Sequence, residues 1–270
     1  MAERLAVRDR LALALDVSDA PAAMALAERF GPSFGVMKVG LELFVAAGPR
    51  IVRDIAASGC RVFLDLKLHD IPNTVERAAR SAGALGAWLL TLHTQGGPDM
   101  LAAGVRGFRE GAAQGRSDAA SSGPEPVALG VTVLTSDATA PPEVLAGRAA
   151  LARDSGCGGL VCAAGDLAAI GAAAPELLRV VPGIRTAGAA LGDQRRVATP
   201  ASALAAGADL LVIGRTVTAA ADPDATAAAV VAEVTAQARV LEPADPAPGT
   251  AGQAAGSAQR PRVAELHCPQ

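Results

Sequence analysis

The 270-residue chain has no tyrosine, one tryptophan and five phenylalanines, and its formal charge is −3. Nucleic-acid binders rely on basic surfaces and stacking aromatics, so neither means of gripping a polynucleotide is prominent. A small-molecule partner fits better. No apolar run reaches the roughly 18 residues that a membrane span needs. The opening Met1-Ala2-Glu3-Arg4 does not lead into the basic and apolar stretches of a secretory signal. A cytoplasmic enzyme is the expectation. Four cysteines, Cys60, Cys157, Cys162 and Cys268, show no zinc-ligand spacing and read as ordinary reduced thiols. No metal or cofactor is expected.

Hydrophobic residues make up 51% of the chain, ample for a large core. Short β-like runs alternate with Ala- and Leu-rich helical stretches. The strands expected are Leu11–Val17, Phe34–Gly40, Arg61–Lys67, Ala87–His93, Val127–Val133, Gly158–Ala163, Leu178–Gly183 and Asp209–Gly214. They are nearly continuously apolar, as in parallel strands buried on both faces. Eight such units predict an α/β fold, a (β/α)8 TIM barrel, as one domain over residues 1–241. No GxGxxG follows the first strand, which weighs against a doubly wound dinucleotide-binding sheet. Gly111–Pro126 reads as a surface-loop insertion, and residues 242–270 as a disordered tail biased towards Ala, Pro and Gly.

Barrel enzymes place their chemistry at the carboxyl ends of the strands. There the sequence puts Asp16 after strand one, Lys38 in strand two, Asp65 and Lys67 in strand three with Asp70 beyond, and His93 at the end of strand four. Charges in apolar strands are costly to bury unless paired, so four of them at one end of three adjacent strands indicate a site. Asp65 and Lys67, two apart, should share the inner face. An ammonium flanked by carboxylates and fixed in orientation suits proton donation to a developing carbanion. At the other side, Gly214-Arg215, Pro182-Gly183-Ile184-Arg185 and the loop Thr186–Thr199 with Gln194 and Arg195 suit a phosphate. That loop is also a candidate lid. His93 reads as a packed, hydrogen-bonded residue with direct ligand contact as the alternative, His69 equally as a structural hydrogen bond in the loop or a part of the site, and Trp88 as packing.

The run Asp65-Leu66-Lys67-Leu68-His69-Asp70-Ile71-Pro72-Asn73-Thr74-Val75 resembles the signature of the orotidine 5′-phosphate decarboxylase family. Further matches are Leu13-Ala14-Leu15-Asp16, Met37-Lys38-Val39-Gly40, Gly130-Val131-Thr132-Val133-Leu134-Thr135-Ser136, Val181-Pro182-Gly183-Ile184-Arg185, Gly192-Asp193-Gln194-Arg195-Arg196 and Ile213-Gly214-Arg215. The resemblance implies a carboxy-lyase of pyrimidine biosynthesis that turns orotidine 5′-phosphate into UMP and CO2. By the same resemblance, Lys67 is the proton donor to C6, Asp65 lies against the departing carboxylate, and Lys38 and Asp70 complete the charged array. Asp16 and Lys38 would hold the ribose, Thr135 would lie near the base, and Arg185, Gln194, Gly214 and Arg215 would bind phosphate. Asp70, Ile71 and Thr74 would reach a neighbouring subunit's site, which implies a homodimer. The rival within the superfamily is a Mg²⁺-dependent enzyme acting on 3-keto sugar phosphates. Those relatives carry an acidic residue where Lys38 stands, since a divalent ion needs carboxylate ligands. A catalytically inactive nucleotide-binding barrel is the other alternative.

Overall fold

The computed structural model describes residues 7–115, 125–134, 140–186 and 198–241. Eight parallel strands close into a barrel in sequence order. They are β1 (Leu11–Ala14), β2 (Val36–Gly40), β3 (Arg61–Leu68), β4 (Ala87–His93), β5 (Val127–Val131), β6 (Gly159–Val161), β7 (Leu178–Val181) and β8 (Leu210–Ile213). Closure is made by β1 against β8, with Leu11, Ala12 and Leu13 opposite Leu211, Val212 and Ile213. The helices are α1 (Ala20–Phe30), α2 (Leu41–Ala47), α3 (Arg50–Ala57), α4 (Pro72–Ala84), α5 (Gly97–Gly115), α6 (Pro142–Asp154), α7 (Leu167–Ala173), α8 (Pro200–Ala205), α9 (Arg215–Thr218) and α10 (Pro223–Leu241).

Strand alternation divides the core in two. Leu11, Leu13, Met37, Val39, Leu64, Leu90 and Leu92 face outward and join the helices in the larger apolar cluster. Ala12, Ala14, Val36, Phe63, Leu129, Val180 and Val212 belong to a second cluster that fills the barrel. Both faces being buried explains why the strands read as unbroken apolar runs. Trp88 sits in the inner cluster with the Arg61 guanidinium 5.0 Å above its ring. Both residues lie at the amino ends of their strands, so Trp88 packs the floor, away from the charged mouth.

Helix α5 continues to Gly115, so residues 111–115 of the expected loop are helical instead. Gly107 and Gly111 allow this. A methyl group at either would collide with the carbonyl oxygens of Glu76 and Arg80 on α4, so only glycine permits the close approach. The pairs Arg80–Glu110 and Arg106–Glu76 tie the same two helices at their surface. The remainder of the Gly111–Pro126 stretch up to residue 124, the lid segment 187–197 and the tail 242–270 lie outside the described residues. No helix among the described residues is long and apolar enough to cross a membrane.

Candidate active site

The four charges expected at the mouth come together there as two ion pairs. Asp16 lies two residues past β1 and continues the inward alternation of Ala12 and Ala14. Lys38 sits between Val36 and Gly40 on the neighbouring strand. Its Nζ donates to Asp16 Oδ1 at 2.9 Å. On β3, Lys67 Nζ lies 2.9 Å from both Oδ1 and Oδ2 of Asp65. Lys38 and Asp65 are mostly buried, whereas half of the Asp16 side chain meets solvent.

Asp65 and Lys67 do not share the site through regular alternation alone. Leu64 pairs with Leu90 and Leu68 with Leu92, so Asp65, Leu66 and Lys67 span what Thr91 spans on β4. This β-bulge bends the end of β3, a common device for re-aiming side chains at barrel rims. Lys67 takes φ 50°, a left-handed conformation that residues other than glycine rarely adopt. Thr91 accepts from the Lys67 backbone N–H at 2.8 Å and donates to Asp65 Oδ1 at 3.0 Å.

Beside Asp16, where β8 closes on β1, are the arms after β7 and β8. Arg185 follows the left-handed Gly183, and Arg215 opens α9 behind Gly214. Thr216, which is buried, links the arms: its hydroxyl donates to the Ile184 carbonyl at 3.1 Å and receives Arg185 Nη1 at 3.4 Å. At Gly214 a Cβ would stand 3.3 Å from that of Ala14 and 3.4 Å from Asp16 Oδ2. A bare backbone there keeps the floor between the arms and Asp16 open. A cavity of about 390 Å³ joins the two sides, bounded by Asp16, Lys38, Asp65 and Lys67, by Arg185, Gly214 and Arg215, and by an apolar wall of Val131, Val133, Leu134, Val161 and Ile184. It brings cationic groups and an apolar surface together in one cavity.

Asp70, Ile71 and Thr74 are placed differently. All three are exposed on the rim where β3 passes into α4, outside the cavity wall. Asp70 Oδ1 accepts the neighbouring Ile71 N–H at 2.6 Å. Thr135 and Gln194 lie outside the described residues. His93 is buried and its ring stacks on His69 at 5.3 Å, beside the cavity and not on its wall. Cys60, Cys157 and Cys162 are buried free thiols, and burial pushes the Cys157 thiol up to about 12. Among the described residues, no cluster of His, Cys, Asp and Glu forms a metal-ligand set.

Two residues escaped the sequence reading. Thr91 and Thr216 look like fillers within apolar segments, yet each joins two parts of the site. A compositional signal for the site was also available. Lys38 and Lys67 are the only lysines in the chain, against 22 arginines. Arginine does not release its proton in proteins, whereas an ammonium is a compact donor that can. Lysine persists here only at the mouth of the barrel.

Comparison with known proteins identifies the family. Residues 9–230 match the family described as orotidine 5′-phosphate decarboxylase / HUMPS. The chain belongs to that family. An orotidine 5′-phosphate decarboxylase of Anaeromyxobacter sp. (strain K) is 51% identical over 235 residues, covering 83% of this chain and 97% of that protein. One of Halorhodospira halophila is 48% identical over 238 residues, covering 84% and 96%. The crystal structure of orotidine 5′-phosphate decarboxylase from Lactobacillus acidophilus has a TM-score of 0.68 at 31% identity, covering 83% of this chain and 98% of that one. The orotidine 5′-phosphate decarboxylase / HUMPS match ends within α10 and spans both lysines and the arms after β7 and β8.

Proposed function

We infer that this protein decarboxylates orotidine 5′-phosphate to UMP and CO2, the last step of de novo UMP synthesis, in the cytoplasm. The observation that carries the reading is Lys67 Nζ held 2.9 Å from each Asp65 oxygen at a cavity also lined by Arg185 and Arg215. The substrate phosphate binds Arg185, Arg215 and the backbone at Gly214, with Gln194 a further ligand as the family resemblance implies. Asp16 and Lys38 hold the ribose hydroxyls, and the base lies along the apolar wall near Thr135.

Decarboxylation breaks the bond between C6 and the carboxylate carbon and leaves the electron pair on C6. A fixed ammonium beside that carbon stabilises the developing charge and then delivers its proton there. Asp65 lies against the departing carboxylate. Binding energy from the distant phosphate offsets the cost of enclosing these like charges in a dry site. Lys38 also supports a metal-free reaction, because a cation stands where the sugar-phosphate relatives need a carboxylate ligand.

We place a homodimer behind the rim residues. Asp70, Ile71 and Thr74 are exposed at the mouth, and Ile71 shows 65% of its surface, unusual for so large an apolar side chain beside a charged site. In the dimer, Asp70 completes the charged array of the neighbouring subunit. We propose that residues 1–241 form one domain.

The test is the fall in absorbance of orotidine 5′-phosphate on adding purified protein in EDTA with no cofactor. Formation of UMP and CO2 is expected. Loss of activity in EDTA points to the metal-dependent relatives, and tight UMP binding without turnover points to an inactive barrel.

A further inference from the structure

Thr91 is fully buried on β4, opposite the three-residue bulge of β3. In a regular parallel pair the amide of a residue at the Lys67 position donates to a carbonyl of the next strand. The bulge and the left-handed backbone of Lys67 (φ 50°) interrupt that ladder. The amide instead donates to Thr91 Oγ1 at 2.8 Å. An amide N–H can only donate, so the hydroxyl proton is free for a second acceptor. It goes to Asp65 Oδ1 at 3.0 Å, the oxygen that lies 2.9 Å from Lys67 Nζ.

These contacts close a ring: Lys67 amide to Thr91 hydroxyl, Thr91 to Asp65, and Asp65 to the Lys67 ammonium. The hydroxyl thus fixes the root of the lysine directly and its tip through the carboxylate. We propose that Thr91 is a positioning residue for the decarboxylation, setting where the Lys67 ammonium stands without touching substrate itself. Thr91 is not on the cavity wall, so substrate affinity should be nearly independent of it. Turnover should not be, because displacements of about 1 Å at a reacting group cost about 100-fold in rate. The proposal rests on the decarboxylase reading, and its test includes a measurement that needs no turnover.

Thr91→Val removes the hydroxyl at nearly constant shape, and Thr91→Ser retains it. For Thr91→Val we expect kcat to fall by about 10- to 100-fold with UMP affinity within about threefold of wild type. For Thr91→Ser, kcat should lie within about threefold of wild type, because hydroxyl geometry is kept. Because the chain has only two lysines, ¹⁵N-lysine labelling yields only two backbone amide signals. The Lys67 signal, assigned by its loss in Lys67→Arg, should shift and exchange its proton about tenfold faster or more in Thr91→Val, with Lys38 little changed. Equal losses of kcat in the Val and Ser variants would overturn the proposal. So would a Thr91→Val protein with wild-type kcat, or one with an unaltered Lys67 amide. If wild type itself does not decarboxylate, the decarboxylase reading fails, and the amide measurement still decides whether Thr91 holds Lys67.

Discussion

The ammonium of Lys67 is equidistant, at 2.9 Å, from the two carboxylate oxygens of Asp65, two residues before it on the same strand. The pair does not arise from a regular strand. Lys67 turns back into the left-handed region, and the bulge it creates sets the ammonium over the cavity. The backbone cost of that turn and the placement of the ammonium are therefore the same feature.

This coupling has a stability consequence. Left-handed backbone costs a residue with a Cβ roughly 1–2 kcal/mol, and glycine escapes most of it despite its greater freedom when unfolded. Lys67→Ala and Lys67→Gly lose the same ion pair and differ in the backbone term. Lys67→Gly is therefore expected to be more stable by about 1 kcal/mol in urea denaturation. An alanine variant of equal or higher stability would show that the left-handed conformation is absent in solution.

Arg215 lines the same cavity as Lys67, on the arm after β8, and is the proposed phosphate ligand. Removing a charge-assisted contact to phosphate costs about 1.5–3 kcal/mol, so Arg215→Ala should raise the Michaelis constant by about 10- to 100-fold. In wild type, phosphite added with a substrate lacking the phosphate should restore part of the rate, and in Arg215→Ala it should restore less, since the remote group supplies binding energy through this residue. An unchanged Michaelis constant would contradict the placement of phosphate at this residue.

The shared site is tested by mixing subunits. Lys67→Ala and Asp70→Ala dimers should each be nearly inactive. In a mixed dimer one site carries both lesions and the other carries neither. Random re-association of equal amounts should then restore about a quarter of wild-type activity, because half the dimers are mixed and each has one intact site. Mixtures no more active than their parents would show that Asp70 serves its own subunit.

A pH effect follows from burial. The Cys157 thiol is held in its neutral form, with its pKa pushed from 9.0 to about 12 by loss of solvent contact, slightly opposed by Arg109. The folded value lies above the unfolded one, so the stabilisation is complete below pH 9 and is lost as pH rises towards 12. The slope approaches about 1.4 kcal/mol per pH unit within that window. Cys157→Ala should flatten it in denaturation curves recorded from pH 8 to about 11. With no tyrosine and two lysines, few other side chains titrate there. Parallel pH dependence in wild type and variant would count against an ionising Cys157.

The barrel was legible because burial of both strand faces makes each strand an apolar run, and charges breaking such runs are conspicuous. Asp16, Lys38, Asp65 and Lys67 stood out for that reason. Strand ends were less legible: the first run was read to Val17, whereas β1 stops at Ala14 and Leu15 continues the chain into the mouth. The bulge could not be read at all, since register is a relation between β3 and β4 and leaves no mark in either alone. For the same reason Thr91 looked like a small polar filler until its partners were visible. The α5 extension was hidden because glycines that admit a neighbouring helix resemble glycines that end one.

Turnover of orotidine 5′-phosphate by wild type and Lys67→Ala, measured side by side in EDTA with UMP affinity as the control, decides whether Lys67 carries the decarboxylation. The account predicts stoichiometric UMP and CO2 from wild type. For Lys67→Ala it predicts a rate lower by about 1,000-fold or more, because both charge stabilisation and the proton donor are gone. UMP affinity should stay within about tenfold, because the phosphate arms remain. A Lys67→Ala protein that decarboxylates at the wild-type rate would contradict it.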